Sequence, residues 1–138
     1  MNCNFIYYLV ILFSLISCSN QQKIISKENL NIINITNNGN TCNEEVIIYN
    51  NFNDFDQFQK SLIIPGERNN PLQIVDFSNK NLAVICKENI EQYEISELKI
   101  AKKNTLKMTK VNDEFDNSIN LIILEIPKEI NYLTLEYL

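Results

Sequence analysis

The hydrophobic and polar positions divide the chain into an apolar leader, a polar stretch and a long segment of short apolar runs. From residue 45 onward, runs of β-branched and aromatic residues alternate with polar clusters, which is the pattern of β-strands separated by turns. The run at residues 82 to 86 contains no charged position, and we expect it to be a central strand covered on both faces. The strands predicted in this way span residues 46–49, 82–86, 93–100, 105–111, 119–126 and 132–138.

One helix interrupts this series of strands. Phe55, Phe58 and Leu62 fall at positions i, i+3 and i+7, so they lie on one face of a helix. Asn53 is the predicted N-cap, and the acidic residues that follow it suit the positive end of the helix dipole. The sequence therefore predicts a β-rich α+β domain with a mostly antiparallel sheet and one short helix.

The leader has the features of an export signal. Residues 5 to 16 form an apolar run broken only by Ser14, which is shorter than the roughly 20 residues of a membrane-spanning helix. The following Leu-Ile-Ser-Cys sequence, residues 15 to 18, is typical of the lipobox of bacterial lipoproteins. We predict a signal peptide over residues 1 to 17 and a lipid-modified Cys18. Since no Lys or Arg precedes the apolar run, an uncleaved anchor or an ordinary secretory signal stays the alternative.

A polar stretch separates the leader from the strands. Residues 19 to 44 are rich in Asn, Ser, Gln and Lys and include the turn signal Asn-Asn-Gly-Asn at 37 to 40. We expect residues 18 to 44 to form a lipidated tether, with one short extended piece at Ile32–Ile35, and residues 45 to 138 to form the domain. No acidic residue directly follows the lipid site, which favours an outer-membrane protein facing the periplasm.

Charge and composition exclude several kinds of function. The net charge is −5, and no basic stripe is present to neutralise phosphates, so we expect no nucleic-acid partner. The chain has no His, which removes the commonest general base and metal ligand. The acidic turn at Asp113, Glu114 and Asp116 lacks the glycine and ligand spacing of a calcium loop. Asp54 and Asp56 would not face each other on a helix. We therefore predict no catalysis, no metal site and no cofactor.

Two cysteines remain after the leader and the lipid site are assigned. Cys3 lies in the signal peptide, and Cys18 carries the lipid, which leaves Cys42 and Cys86. An even pair in an oxidising compartment favours a disulfide. The alternative is a free, buried Cys86 in a strand and an unpaired Cys42 in the tether.

Residues 71 to 85 read Pro-Leu-Gln-Ile-Val-Asp-Phe-Ser-Asn-Lys-Asn-Leu-Ala-Val-Ile and lead from the helix into a strand. This segment resembles the C-terminal domain of PrcB-type protease-complex subunits and related small bacterial lipoproteins, over about residues 46 to 138. Such proteins carry a Gly-Gly-Tyr turn soon after the strand. Here Glu91 and Gln92 precede Tyr93 instead, so we expect a looser turn. The resemblance implies a non-catalytic protein that stabilises or binds another protein.

Within that segment, Asp76 and Phe77 have a structural interpretation. We expect Asp76 to accept backbone N–H groups where the chain enters the strand, and Phe77 to fill the core. These two residues are therefore expected to support the fold and not to form a binding site.

Together these patterns favour a membrane-anchored lipoprotein that serves as a non-catalytic interaction or stabilising subunit for another envelope protein. The alternative is a lipoprotein that binds a small ligand or peptide. Tyrosines that converge on a cavity would favour the alternative, whereas a flat exposed patch would favour a protein partner. The final strand is the candidate interaction surface, because a sheet edge offers unpaired backbone groups. The tyrosines concerned are Tyr49, Tyr93, Tyr132 and Tyr137, and the last two belong to that strand.

The lipid site is directly testable. The Cys18→Ala protein should lose labelling by an alkyne fatty acid, because the acceptor thiol is absent. The Cys3→Ala protein should keep its label, because that thiol lies in the signal peptide. Undiminished label on the Cys18→Ala protein would contradict the prediction.

Overall fold

The computed structural model describes residues 22 to 36, 44 to 63, 65, 73 to 87, 89 to 111 and 119 to 138. Within these ranges the chain forms eight β-strands, one α-helix and two short 3-10 turns. Helix α1 spans Phe52–Ser61, and the turns span Lys27–Asn29 and Ile90–Gln92. No described helix is long and apolar enough to cross a bilayer. The strands, in chain order from β1 to β8, are Lys23–Ser26, Ile32–Thr36, Val46–Tyr49, Lys80–Cys86, Tyr93–Ile100, Thr105–Lys110, Ile119–Pro127 and Thr134–Tyr137.

The strands form two four-stranded sheets. Sheet I has the order β1-β5-β6-β8, and sheet II has the order β2-β7-β4-β3. Every described strand pair is antiparallel except β6 with β8, which run parallel. The prediction of a β-rich, mostly antiparallel α+β domain with one short helix is confirmed.

Sheet II is the central layer of the domain. Alternate side chains of β4 and β7 point toward sheet I, where Ala83, Ile85 and Leu124 join a fully buried cluster. The intervening side chains, such as Leu82 and Val84, pack on the opposite face beneath α1. The uncharged run at residues 82 to 86 is therefore covered on both faces, as predicted.

Helix α1 covers the outer face of sheet II. Phe55 is fully buried, and Phe58 and Leu62 pack beside it, which confirms the predicted apolar face. The N-cap is Asn51 and not the predicted Asn53: its side-chain oxygen accepts the Asp54 N–H at 3.0 Å. The sequence offers asparagines on both sides of Phe52, and the choice between them depends on where the chain leaves β3.

The chain that enters β4 is fixed against the helix. The buried side-chain amide of Gln59 donates to the Gln73 carbonyl at 3.0 Å and accepts the Gln73 N–H. Asp76 accepts the Ser78 N–H at 2.9 Å, and this bond lowers the pKa of the Asp76 carboxyl. The Phe77 ring packs edge-on against Phe55 with ring centroids 6.0 Å apart. The structural roles predicted for Asp76 and Phe77 are confirmed.

Residues 22 to 36 belong to the folded domain, which corrects the predicted tether over residues 18 to 44. β1 pairs with β5 over its whole length, and β2 pairs with β7. The extended piece predicted at Ile32–Ile35 is confirmed as part of β2, with Ile35 only 7% exposed. The boundary was missed because these short strands are embedded in Asn, Ser and Lys, a composition that they share with linkers.

The chain after β4 reverses through a left-handed residue and a 3-10 turn. Asn89 adopts a left-handed conformation, with φ of 59°, and the 3-10 turn Ile90–Gln92 follows directly. Asparagine tolerates this conformation better than most residues, so it supplies the freedom that a glycine would otherwise give. Ile90 is fully buried in this turn. Whether the turn is looser than one built on Gly-Gly-Tyr stays a prediction.

Two isoleucines test whether residues 22 to 36 are part of the domain. Ile35→Ala should lower the free energy of unfolding by about 2–4 kcal/mol, because the side chain is buried between β2 and the helix layer. Ile24→Ala should change it by less than about 0.5 kcal/mol, because Ile24 is 54% exposed. Urea unfolding followed by circular dichroism measures both. If neither substitution changed the free energy of unfolding, residues 22 to 36 would behave as a tether and not as part of the domain.

Candidate functional site

β3 is an edge strand of sheet II, and within the described ranges it pairs with β4 alone. The Cys86 N–H donates to the Glu45 carbonyl at 3.0 Å, and these residues stand opposite each other when the β3–β4 register is extended by one pair. In an antiparallel ladder, hydrogen-bonded pairs alternate with pairs whose backbone groups point away. The N–H and C=O groups of Val46 and Ile48 therefore point away from β4, toward the free side of the strand.

β3 lacks the features that protect the other edges. Edge strands are commonly protected against unwanted pairing by charges, bulges or prolines. β1 contains Lys23, β8 contains Glu136, and β2 has a register shift between Ile35 and Thr36. β3 reads Val-Ile-Ile-Tyr and has an uninterrupted register with β4. Its free side is therefore suited to pairing with another strand.

A groove of about 320 Å³ lies beside this free edge and is here called the β3 groove. One wall is formed by Glu44 and residues 46 to 48, and the other by residues 131 to 133, which lead into β8. Asn104 fixes the second wall through two hydrogen bonds. Its side-chain amide donates to the Tyr132 backbone carbonyl at 3.3 Å, and its backbone carbonyl accepts the Thr134 N–H. Tyr132 is 52% exposed, and its hydroxyl donates to the Lys102 carbonyl.

A cluster of polar and aromatic side chains joins β8 to Glu45, the residue directly before β3. The Tyr137 hydroxyl donates to Glu45 Oε1 at 2.5 Å, and Lys87 Nζ lies 3.3 Å from the same carboxylate oxygen. The Lys87 ammonium also lies 3.4 Å from the centroid of the Tyr137 ring, in a cation–π contact. The Tyr93 ring packs edge-on against the Tyr137 ring, with the two ring centroids 4.9 Å apart. These contacts hold β8 of sheet I against the chain that enters β3 of sheet II.

The Tyr137 side chain is half-buried and makes its contacts within the domain. Its ring packs against the core between the sheets, and its hydroxyl is bound to Glu45. Burial and this hydrogen bond raise the pKa of the Tyr137 hydroxyl well above its usual value. Of the two tyrosines predicted at the final strand, Tyr132 lines the groove, just before β8 begins at Thr134, and Tyr137 supports the fold.

The tyrosines do not converge on one cavity. Tyr93 and Tyr137 pack against each other, whereas Tyr49 stacks on Phe58 at 5.3 Å on the outer face of sheet II. Tyr132 alone among the four lines the β3 groove. The convergence of tyrosines that would have favoured a small ligand is therefore not found among these four residues.

The cysteine predictions are only partly accessible in the structure. Cys86 is disulfide-bonded, and its partner lies outside the described residues, as do Cys18 and Cys42. The predicted Cys42–Cys86 bridge stays a prediction, which the register supports because Cys42 precedes Glu45 by three residues. The acidic turn at residues 113 to 116 also lies outside the described ranges, and no described residues gather three potential metal ligands.

The chain matches no protein-family model, no curated protein sequence and no solved structure. The interpretation of the site therefore depends on its own geometry. The sequence identified β3 as a strand but did not identify it as an edge, because strand order depends on contacts between distant parts of the chain. The proximity of β3 to residues 131–133 was missed for the same reason.

The contact between Tyr137 and Glu45 makes a prediction about stability and pH. Tyr137→Phe should lower the free energy of unfolding by about 1 kcal/mol at neutral pH, because it removes one partly exposed hydrogen bond to a carboxylate. The folded-state pKa of Tyr137 is raised, so the stabilisation is complete below the unfolded pKa of about 10 and decreases as the pH rises above it.

Urea titrations of both proteins between neutral pH and about pH 11 measure this difference. The gap in unfolding free energy between the unmodified protein and Tyr137→Phe should narrow above about pH 10. A gap that stays constant or widens over that range would contradict the raised pKa.

Proposed function

We propose that this protein is a lipid-anchored subunit of the bacterial cell envelope, which binds another envelope protein through the free edge of β3 and performs no catalysis itself. The observation that carries the proposal is an uncharged, unbulged edge strand beside an open groove. Sheet edges of this kind are uncommon unless a partner uses them, since they invite unwanted pairing. The resemblance of residues 71 to 85 to PrcB-type subunits favours the same class of function.

In this proposal the lipid anchor and the β3 groove lie at different edges of the domain. Because β1 begins at Lys23, the chain from a lipidated Cys18 to the first strand can extend at most about 17 Å. β1 and β8 are the two outer strands of sheet I, about 14 Å apart. The linker joins the domain at its β1 edge, whereas residues 131–133 of the β3 groove lead into β8. The anchor therefore leaves the groove accessible to a partner on the periplasmic side of the outer membrane.

Binding of a small ligand or peptide is the second candidate function. The observation in its favour is the groove itself, whose volume of about 320 Å³ is at the lower end of the range for ligand pockets. The groove contains a single tyrosine, whereas ligand pockets usually gather several apolar and aromatic side chains. We therefore rank it below a protein partner.

Photocrosslinking in intact cells tests the proposed function. The photoreactive residue p-benzoylphenylalanine at position 132 should crosslink to a specific envelope protein, because Tyr132 is exposed on the wall of the groove. The same residue at position 24 is the matched control, because Ile24 is similarly exposed but lies on β1. Crosslinks should be strong from position 132 and weak from position 24.

The lipid anchor adds a second comparison. The Cys18→Ala protein with the probe at position 132 should lose most of its crosslink, because the domain is no longer held near its partner. Identical crosslinking from positions 132 and 24, or none from either, would argue against a binding function at this edge.

A further inference from the structure

We infer that the β3 edge binds an extended segment of its partner as an added antiparallel strand, and that this segment has the pattern apolar–x–apolar–x–Lys/Arg. The inference rests on the proposed function and specifies how the partner is recognised. It follows from the backbone groups that β3 leaves free, from the side chains that line the β3 groove, and from the charge at one end of the groove.

The free backbone groups define the shape of the occupant. The outward N–H and C=O groups of Val46 and Ile48 are two residues apart on one side of β3. Another extended strand presents donors and acceptors at the same spacing, and a helix does not, because it satisfies its own backbone groups. An added strand therefore pairs with all four groups at once, in the manner of β-augmentation.

The groove selects apolar side chains at alternate positions of that strand. Val46 and Ile48 pack their side chains against the core between the sheets. Residues of an added strand that stand opposite them point in the same direction, toward Tyr132 and Leu133 on the other wall. Val46, Ile48 and Leu133 contribute apolar side chains to the lining of the groove, so two apolar side chains at positions i and i+2 of the partner would pack against them.

Glu44 supplies the charge at the end of the groove. It is exposed, it lines the groove, and none of the ion pairs between described residues includes it. The neighbouring Glu45 is already paired with Lys87. A Lys or Arg of the partner, two positions beyond the residue opposite Val46, would lie beside the Glu44 carboxylate.

A second copy of this chain fits the edge less well. If two β3 strands paired antiparallel through Val46 and Ile48, the residue opposite Glu44 would be Asn50, which carries no charge. Both copies would also bring a net charge of −5. The partner is therefore a different protein with a basic residue at this position. The antiparallel direction follows from sheet II, in which every described pair is antiparallel.

Synthetic peptides test the pattern with the full-length lipidated protein in phospholipid nanodiscs. The probe is a fluorescent peptide of sequence Thr-Val-Thr-Val-Thr-Lys-Thr with both ends blocked, and binding is measured by fluorescence anisotropy. Replacing its Lys with Glu should weaken binding about fivefold. With the Glu44→Lys protein the preference should reverse, since the charges are exchanged.

Backbone methylation distinguishes strand addition from other modes of binding. Methylating the N–H groups of the two Val residues should weaken binding about tenfold, because these groups face β3. Methylating the Thr between them should have little effect, because its N–H points away from β3. On the protein side, Val46→Pro should bind the probe about tenfold more weakly than Val46→Ala, since both remove the branched valine side chain but only proline removes the outward N–H.

Several results would overturn the inference. The first is that the probe peptide does not bind at about 1 mM, a concentration that matches the dissociation constant of a weak specific complex. Another is equal binding of the two methylated peptides, which requires no protein variant and so holds even if Val46→Pro fails to fold. A crosslinked partner at position 132 together with either result would leave the interaction function in place and remove the strand-addition mode.

Discussion

Sheet II has to bury both of its faces, because β4 and β7 carry apolar side chains on both sides. Residues such as Ala83 and Leu124 need sheet I as a cover, and residues such as Leu82 and Val84 need α1 and the segment that Gln59 fixes beside it. The burial of one strand layer thus determines where the other layers lie. Since the lateral edges of sheet II are not part of this burial, they are free to serve another purpose.

Local patterns were sufficient for most of the individual elements. The strands after residue 45 and the apolar face of the helix follow from side-chain periodicity, which is a property of neighbouring residues. The division into two sheets does not follow from it, because periodicity does not specify which distant strand each strand pairs with. The sequence pattern did not predict β1, because its four residues contain only two isoleucines, between Lys and Ser. Two apolar residues are too few to show the alternation of a strand.

The candidate site was less accessible from the sequence than the fold. The sequence indicates Tyr132 because it lies in the predicted final strand, a candidate sheet edge, and it does line the β3 groove. Tyr137 was chosen for the same reason and is part of the core contacts, because alternation along β8 turns its ring inward. The edge position of β3 required the complete strand order, which no short segment contains.

The pairing of β1 and β2 with late strands has a consequence for how the protein reaches its folded state. Lys23 pairs with Ile100, and Ile32 pairs with Leu124, so the first strands have no partners until most of the chain has been synthesised. Loop closure over such distances makes folding slow compared with folding through local contacts. During this interval β1 and β2 expose unpaired isoleucines. A chaperone that binds extended chains would therefore have its longest contact with these N-terminal strands.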